Sequence, residues 1–446
     1  MQNMFYLLNL TVSGVKNLKK EVRLDFYKKT IDKNFDPQKY RLKAIYGENG
    51  SGKSAIVTAV KIFQDLILND NYLSESKNQS FLEEIINKET KEFKFNCEYM
   101  FHVESQKTIY NYTIYLGKND NDQYEIKYEK LIQKNGNYPN NNYKTIFECR
   151  NGEIENIELE DADKDYVVKK TMNLLSSKSL VYLLIANLKK DAAKTGKDDS
   201  YKELIVNIIV SLTFVIMIKV YLAEEDQHEL YFLRKRIKES GIDKELIGKG
   251  LLELSESINA YSGVDERKIE KSDYKKYEKM VGQLTDFIKI FKSELVSIEI
   301  DKRDDGDQYI CELILNYGGY RVNKEFESTG IKKLIRLYDC FMAASTTGIV
   351  FIDEMDSNLN DVYLCRLIEY FMYYGKGQLC FTTHNLDPMT VLKDNKNSIE
   401  FLSSDNNLVQ WTTRGNSSPD NCYRNGMIED SPFNIDATDF IGIFGE

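Results

Sequence analysis

The chain predicts an α/β fold: a mixed sheet with an antiparallel β subdomain and an inserted helical domain. Three observations predict it. A glycine-rich stretch, Gly47-x-x-x-x-Gly52-Lys53-Ser54, lies between an apolar β-type run and an amphipathic helical pattern. From about Gly330 to Thr382 helical and β-type patterns alternate, which implies parallel strands joined by crossover helices. From Phe93 to about Leu159 the chain instead strings together β-type segments rich in Tyr, Phe and Ile. Turn signals such as Lys118-Asn119-Asp120 and Asn135-Gly136-Asn137 break them, as in an antiparallel meander.

Taken in order, residues 5–12 and 22–26 read as short strands, and residues 41–46 as a third that runs straight into Gly47. Ile56, Val57, Val60, Ile62, Phe63, Leu66 and Ile67 then supply one apolar helical face. From about residue 163 to 292 helix formers dominate, with loops at 195–199 and 262–265. No heptad pattern is sustained there, so a long coiled-coil arm is not expected. Residues 204–218 are strongly apolar, yet they include Asn207, Ser211 and Thr213 and fall short of the roughly 20 residues of a bilayer span. They predict a buried helix. β-Character returns at 295–300 and 309–315. A helix over about 330–344, a strand at 348–352, a helix over about 361–374 and a strand at 378–382 follow.

Composition narrows the class. The 446 residues hold 60 Lys+Arg against 70 Asp+Glu, a net charge of −10, which excludes coating nucleic acid by bulk charge and leaves only a local basic groove. The length allows two to four structural units at roughly 100–200 residues each. Seven cysteines without a CxxC pair or a histidine cluster predict reduced thiols in the cytoplasm, with neither a zinc site nor a disulfide framework. The first residues lack the basic and apolar regions of a signal peptide. A soluble chain with no membrane partner is expected.

The chemistry lies in three places. Gly47, Asn49, Gly50, Ser51 and Gly52 form a loop whose N–H groups can wrap a polyphosphate at a helix N-terminus. Lys53 would reach the β- and γ-phosphates, and the Ser54 hydroxyl would ligate Mg²⁺. Ile349-Val350-Phe351-Ile352 then delivers Asp353 to the metal, with Glu354 next to it as the base that activates water. Finally Leu379-Cys380-Phe381-Thr382-Thr383 ends in His384, a γ-phosphate sensor on the strand after the acidic pair.

These pieces resemble the ATP-binding cassette (ABC) type of ATPase head, in the branch that includes RecF-like and SMC-like proteins. The resemblance implies ATP and Mg²⁺ as cofactors. It also implies that Glu327-Ser328-Thr329-Gly330 is a short signature element, with Ser328 and Gly330 completing the ATP site of a partner head. By itself Ser328-Thr329-Gly330 is equally a helix N-cap. Asp356-Ser357-Asn358-Leu359-Asn360 resembles the loop that crosses the head dimer, with Asn360 where many relatives carry histidine. Gln79 and Gln106 are the candidates for the family's glutamine loop. The head is expected in two halves, residues 1–160 and 295–446, around a helical insertion or lobe at 161–294.

The resemblance leaves three uses for the ATPase. A transporter motor is disfavoured by the long separation of Lys53 from Asp353 and by the lack of a coupling membrane segment. A DNA repair or recombination ATPase would need a basic surface, for which Lys169-Lys170, Lys189-Lys190 and Lys332-Lys333 with Arg336 are candidates. The third is a sensor and scaffold subunit of an anti-phage or abortive-infection system, similar to PARIS-like and RloA-like ATPases. It would act as a homodimer or higher homo-oligomer through its heads and control a separate effector, such as a Toprim-type nuclease encoded nearby. The stretch after His384 is too short for a fused Toprim domain of the overcoming-lysogenization-defect type. The tail from Tyr423-Arg424-Asn425-Gly426 through Ser431-Pro432-Phe433-Asn434 to Asp439-Phe440 is similar to that of small defence ATPases.

Overall fold

The computed structural model describes residues 4–28, 31, 35–138, 141–191, 199–222, 264–265, 268–395, 397–412, 417–431 and 443. The chain opens with β1 (Met4–Ser13), β2 (Val22–Asp25) and β3 (Leu42–Tyr46), then α1 (Lys53–Leu68) and α2 (Ser76–Ile85). A meander follows: β4 (Glu92–Val103), β5 (Gln106–Lys118), β6 (Tyr124–Asn135), β7 (Lys144–Arg150) and β8 (Glu153–Ile157). Next come α3 (Asp161–Thr171), α4 (Leu180–Asp191), α5 (Asp199–Met217) and β9 (Ile218–Tyr221). The second half runs β10 (Lys268–Glu270), α6 (Tyr274–Phe291), β11 (Ser297–Asp305), β12 (Gln308–Asn316), β13 (Arg321–Asn323) and α7 (Thr329–Ser345). It closes with β14 (Ile349–Ile352), α8 (Asp361–Tyr373), β15 (Gln378–Thr382), α9 (Asp387–Leu392), β16 (Ile399–Leu402), β17 (Leu408–Gln410) and α10 (Pro419–Arg424).

A six-stranded sheet, in the order β17-β16-β3-β15-β14-β9, is the centre of the fold. All its pairings are parallel except that of β17. Every residue of β3, β14 and β15 is buried, as strands covered on both faces must be. Alternate residues feed different cores. Ile45, Phe351 and Cys380 join the core beneath the meander, whereas Ala44, Val350, Ile352 and Phe381 join the core of α6, α7 and α8.

The meander and β1–β2 make a seven-stranded antiparallel sheet, β2-β1-β4-β5-β6-β7-β8. Gln378 ties it to the central sheet, because its amide group both accepts from Leu7 N (2.6 Å) and donates to Leu7 O (2.9 Å). The smaller sheet of β10, β12, β11 and β13 packs on α6, in the core shared with α7 and α8.

The apolar run 204–218 forms α5, which lies inside the protein. Phe214 stacks on Tyr99 at 3.7 Å, and the polar residues that interrupt the run are satisfied in place. Tyr99 OH donates to Ser211 Oγ and Tyr110 OH to Asn207 Oδ1, both at 2.8 Å. Thr213 Oγ1 bonds back to Ile209 O at 2.7 Å. α5 is the one described helix long and apolar enough to cross a bilayer, and its apolar window is 78% buried.

The described parts of the segment 161–294 join the central sheet and the core beneath the meander. β9 extends the central sheet by pairing in parallel with β14, and α4 and α5 fill the core under the meander. Glu129, buried in β6, caps α4: its carboxylate accepts from Leu180 N at 2.8 Å, Ser179 Oγ at 2.7 Å and Tyr112 OH at 2.6 Å. The expected loops at 195–198 and 262–263, and the tail beyond 431 apart from 443, lie outside the described residues.

Candidate nucleotide site

β3, β15 and β14 lie side by side and parallel, so their C-terminal ends open on one edge of the sheet. That edge is where a parallel α/β sheet presents its loops to a ligand. The loop after β3 carries residues 47–54, the loop after β14 carries Asp353 to Asn360, and the loop after β15 carries His384.

The glycine loop is built for close approach. Gly52, at φ +108, caps α1 without a side chain, leaving the first N–H groups of that helix uncovered. A Cβ on Gly52 would stand 2.5 Å from Leu18 Cδ2, so only glycine fits against the turn between β1 and β2. Asn17, on the same turn, donates its side-chain amide to Gly50 O. Asn49 and Gly50 are exposed, and Ser51 Oγ is buried without a partner.

Lys53 is 6% exposed and folds back to donate to Gly47 O and Glu48 O, each at 2.9 Å. Burial pushes its pKa down, while the carboxylates of Asp353, Asp356, Glu354 and Glu48 act in the opposite sense. His384 is exposed. Partial desolvation by the surrounding loops and the Lys53 ammonium lower its pKa, against Asp356, Glu354 and Asp353. Lys53, Asp353, Glu354 and His384 therefore share one electrostatic neighbourhood.

The acidic pair divides its environment. Asp353 is buried, and its Oδ1 accepts from Thr382 Oγ1 at 2.6 Å. Glu354 is exposed at φ +48, a left-handed backbone rare for this residue, and its N–H donates to the same Thr382 Oγ1 at 2.8 Å. Asp356 Oδ2 accepts from His384 N and Asn385 N, both at 3.2 Å, so it sets the histidine loop. Ser54 and Asp353 are the hard oxygen donors magnesium takes. Among the described residues no three His, Cys, Asp or Glu side chains form a self-sufficient metal site.

The signature segment is placed differently. Ser328 is exposed and N-caps α7, its Oγ accepting from Ile331 N at 3.5 Å. Gly330 lies against the loop after β14, where a Cβ would come 2.8 Å from Asn358 O. Within one chain, Ser328 and Gly330 thus sit beside Asn358. Asn360 caps α8 by accepting from Val362 N at 3.0 Å.

Several sequence candidates fall elsewhere. Gln79 is consumed by backbone, with Leu73 O and Tyr124 O accepting from its Nε2 and Tyr124 N donating to its Oε1. Gln106 opens β5 at a hairpin of the antiparallel sheet. Of the proposed basic surface, Lys333 is buried and Arg336 pairs with Asp265 at 3.8 Å. Lys170 lies over the Tyr166 ring at 4.7 Å. The side chains of Lys189 and Lys190 lie outside the described residues. Conversely, the sequence does not point to Thr382 or Asn17, and it points to Asp356 only as part of the dimer-crossing loop and to Lys333 only as part of a basic surface. The only signal for Thr382 was its position at the end of the strand leading to His384.

No curated protein matches the sequence. Among solved structures, the chain is similar to the recombination mediator protein RecF of the RecFOR pathway. Its ATP form shows 14% identity, a TM-score of 0.40, and coverage of 92% of this chain and 100% of that one. Its ATPrS form shows 14% identity, a TM-score of 0.37, and coverage of 92% and 99%. A family model described as "AAA domain, putative AbiEii toxin, Type IV TA system" matches residues 42–387, from β3 through the phosphate loop and the acidic strand past His384. That span is well over half of the chain, and the protein belongs to this AAA-domain family.

Proposed function

We propose that the chain is an ATP-binding and hydrolysing sensor or scaffold subunit of an anti-phage, abortive-infection system, controlling a separate effector such as a Toprim-type nuclease. One observation carries this reading. A phosphate loop, a buried aspartate, an exposed glutamate and a histidine converge on one sheet edge, in a chain whose family is described by a toxin of a type IV toxin–antitoxin system. Lys53 leaves its loop carbonyls to hold the β- and γ-phosphates of ATP, and Glu354 takes the proton of the attacking water. Ser54 and Asp353 would hold Mg²⁺ together with the nucleotide, and the bound ion would supply charge neutralisation at the phosphates. Ser328 and Gly330 face the nucleotide of a second head, so that ATP clamps a homodimer and hydrolysis releases it.

The alternative, a DNA repair or recombination ATPase, would draw on exposed cations; of the candidates, Lys333 is buried and engaged inside the fold, and the exposed Arg336 is paired with Asp265. Phage challenge separates the two. Cells carrying this gene with its neighbour should plate phage poorly, and Lys53→Ala should restore plating. Equal plating with and without the locus, together with salt-dependent DNA binding by the purified chain, would favour the alternative.

A further inference from the structure

Glu354 is held by its backbone on both sides. Its N–H donates to Thr382 Oγ1 from β15, and its carbonyl oxygen accepts from Lys333 Nζ on α7 at 2.5 Å. Its φ of +48 is a conformation a glutamate keeps only where its surroundings impose it. The side chain itself is exposed. What the surroundings fix is the direction in which the carboxylate leaves the backbone.

Lys333 is unlike a lysine on a solvated helix face. It is 5% exposed, and all three donors of its ammonium have acceptors: Glu354 O, Ser357 O at 2.7 Å and Ser357 Oγ at 2.6 Å. The carboxylates of Asp356, Glu354 and Asp353 face it. One turn earlier the same helix meets the same loop a second time. Thr329 Oγ1 donates to Asn358 Oδ1 at 3.4 Å, and Gly330 leaves room for Asn358 O. The start of α7 thus grips residues 354–358 at two points.

We propose that Lys333 is a positioning residue, whose ammonium sets the backbone of Glu354 against the helix that begins at Ser328. This rests on the reading of Glu354 as the base. The two are separable in one experiment on the full chain. Lys333→Met should bind an ATP analogue within about threefold of wild type while turnover falls at least about tenfold, a kcat effect rather than a KM effect. Amide exchange should rise across residues 353–358 and stay unchanged across 47–54. Lys333→Arg, which keeps the charge but not the compact ammonium, should still loosen 353–358. It also carries the test if the methionine variant does not fold. Unchanged exchange at 353–358 in either variant, nucleotide binding lost together with turnover, or full rescue of both readouts by arginine would each overturn the proposal. A wild-type chain without turnover would remove Glu354 as base, and the exchange result would still decide the role of Lys333.

Discussion

Thr382 Oγ1 donates to Asp353 Oδ1 at 2.6 Å while accepting the N–H of Glu354 at 2.8 Å, so one hydroxyl sets both members of the acidic pair. The hydroxyl is buried, with Thr382 at 1% exposure. Thr382→Val keeps the shape but leaves a buried carboxylate oxygen and a backbone N–H unpaired, at a cost of about 1–3 kcal/mol. Thermal unfolding should show that loss for valine and little for Thr382→Ser. Equal melting temperatures for the wild type and the valine variant would show that neither bond matters.

Gly330 should not tolerate a side chain. Any Cβ meets Asn358 O at 2.8 Å, so either the start of α7 or the loop after β14 must move. Gly330→Ala should lower stability by about 1–3 kcal/mol in denaturant unfolding. It should also raise amide exchange at residues 356–360 and leave exchange at 47–54 unchanged.

Glu129 gives a pH dependence remote from the nucleotide site. Burial raises its pKa above the ordinary 4.5, against the hydrogen bonds from Tyr112, Leu180 and Ser179. The folded chain therefore binds this proton more tightly than the unfolded one. The stability it contributes is full below pH 4.5 and is lost as pH rises through the folded value. Measured by urea unfolding, the difference between Glu129→Gln and wild type should move in favour of the variant as pH rises from 4.5. The amide keeps one acceptor for Leu180 N and turns its NH₂ to the Ser179 and Tyr112 hydroxyls, an exchange that adds an offset that does not titrate. A difference flat with pH would contradict the buried, titrating carboxylate.

Lys53→Ala should lose ATP binding and, with it, any nucleotide-dependent assembly. Light scattering with and without ATP–Mg²⁺ should show assembly in the wild type only. Assembly of the alanine variant would place nucleotide recognition elsewhere.

What sequence could read was local. The phosphate loop, Asp353-Glu354 and His384 each sit at the end of an apolar run, and the order of such runs is visible in one dimension. The burial of α5 was legible because Asn207, Ser211 and Thr213 mark a helix with protein partners, here Tyr110 and Tyr99 for the first two. β9 was not legible, since Ile218 follows Met217 of α5 with no turn residue between them and apolar periodicity cannot divide such a run. Residues 295–300 read as a strand, but β11 continues to Asp305 because its acidic end pairs with β12 while exposed. Lys333 beside Lys332 read as a surface pair. Only the fold shows that one of the two points into the acidic loop.

On the proposed reading, this edge of the sheet hydrolyses ATP with Glu354 as its base. The direct measurement is ATP turnover of the wild type and Glu354→Gln at matched nucleotide occupancy. Glu354→Gln should bind ATP–Mg²⁺ as wild type does, turn over at least about a hundredfold more slowly and form a dimer that persists in ATP. Turnover by Glu354→Gln at the wild-type rate would contradict that reading.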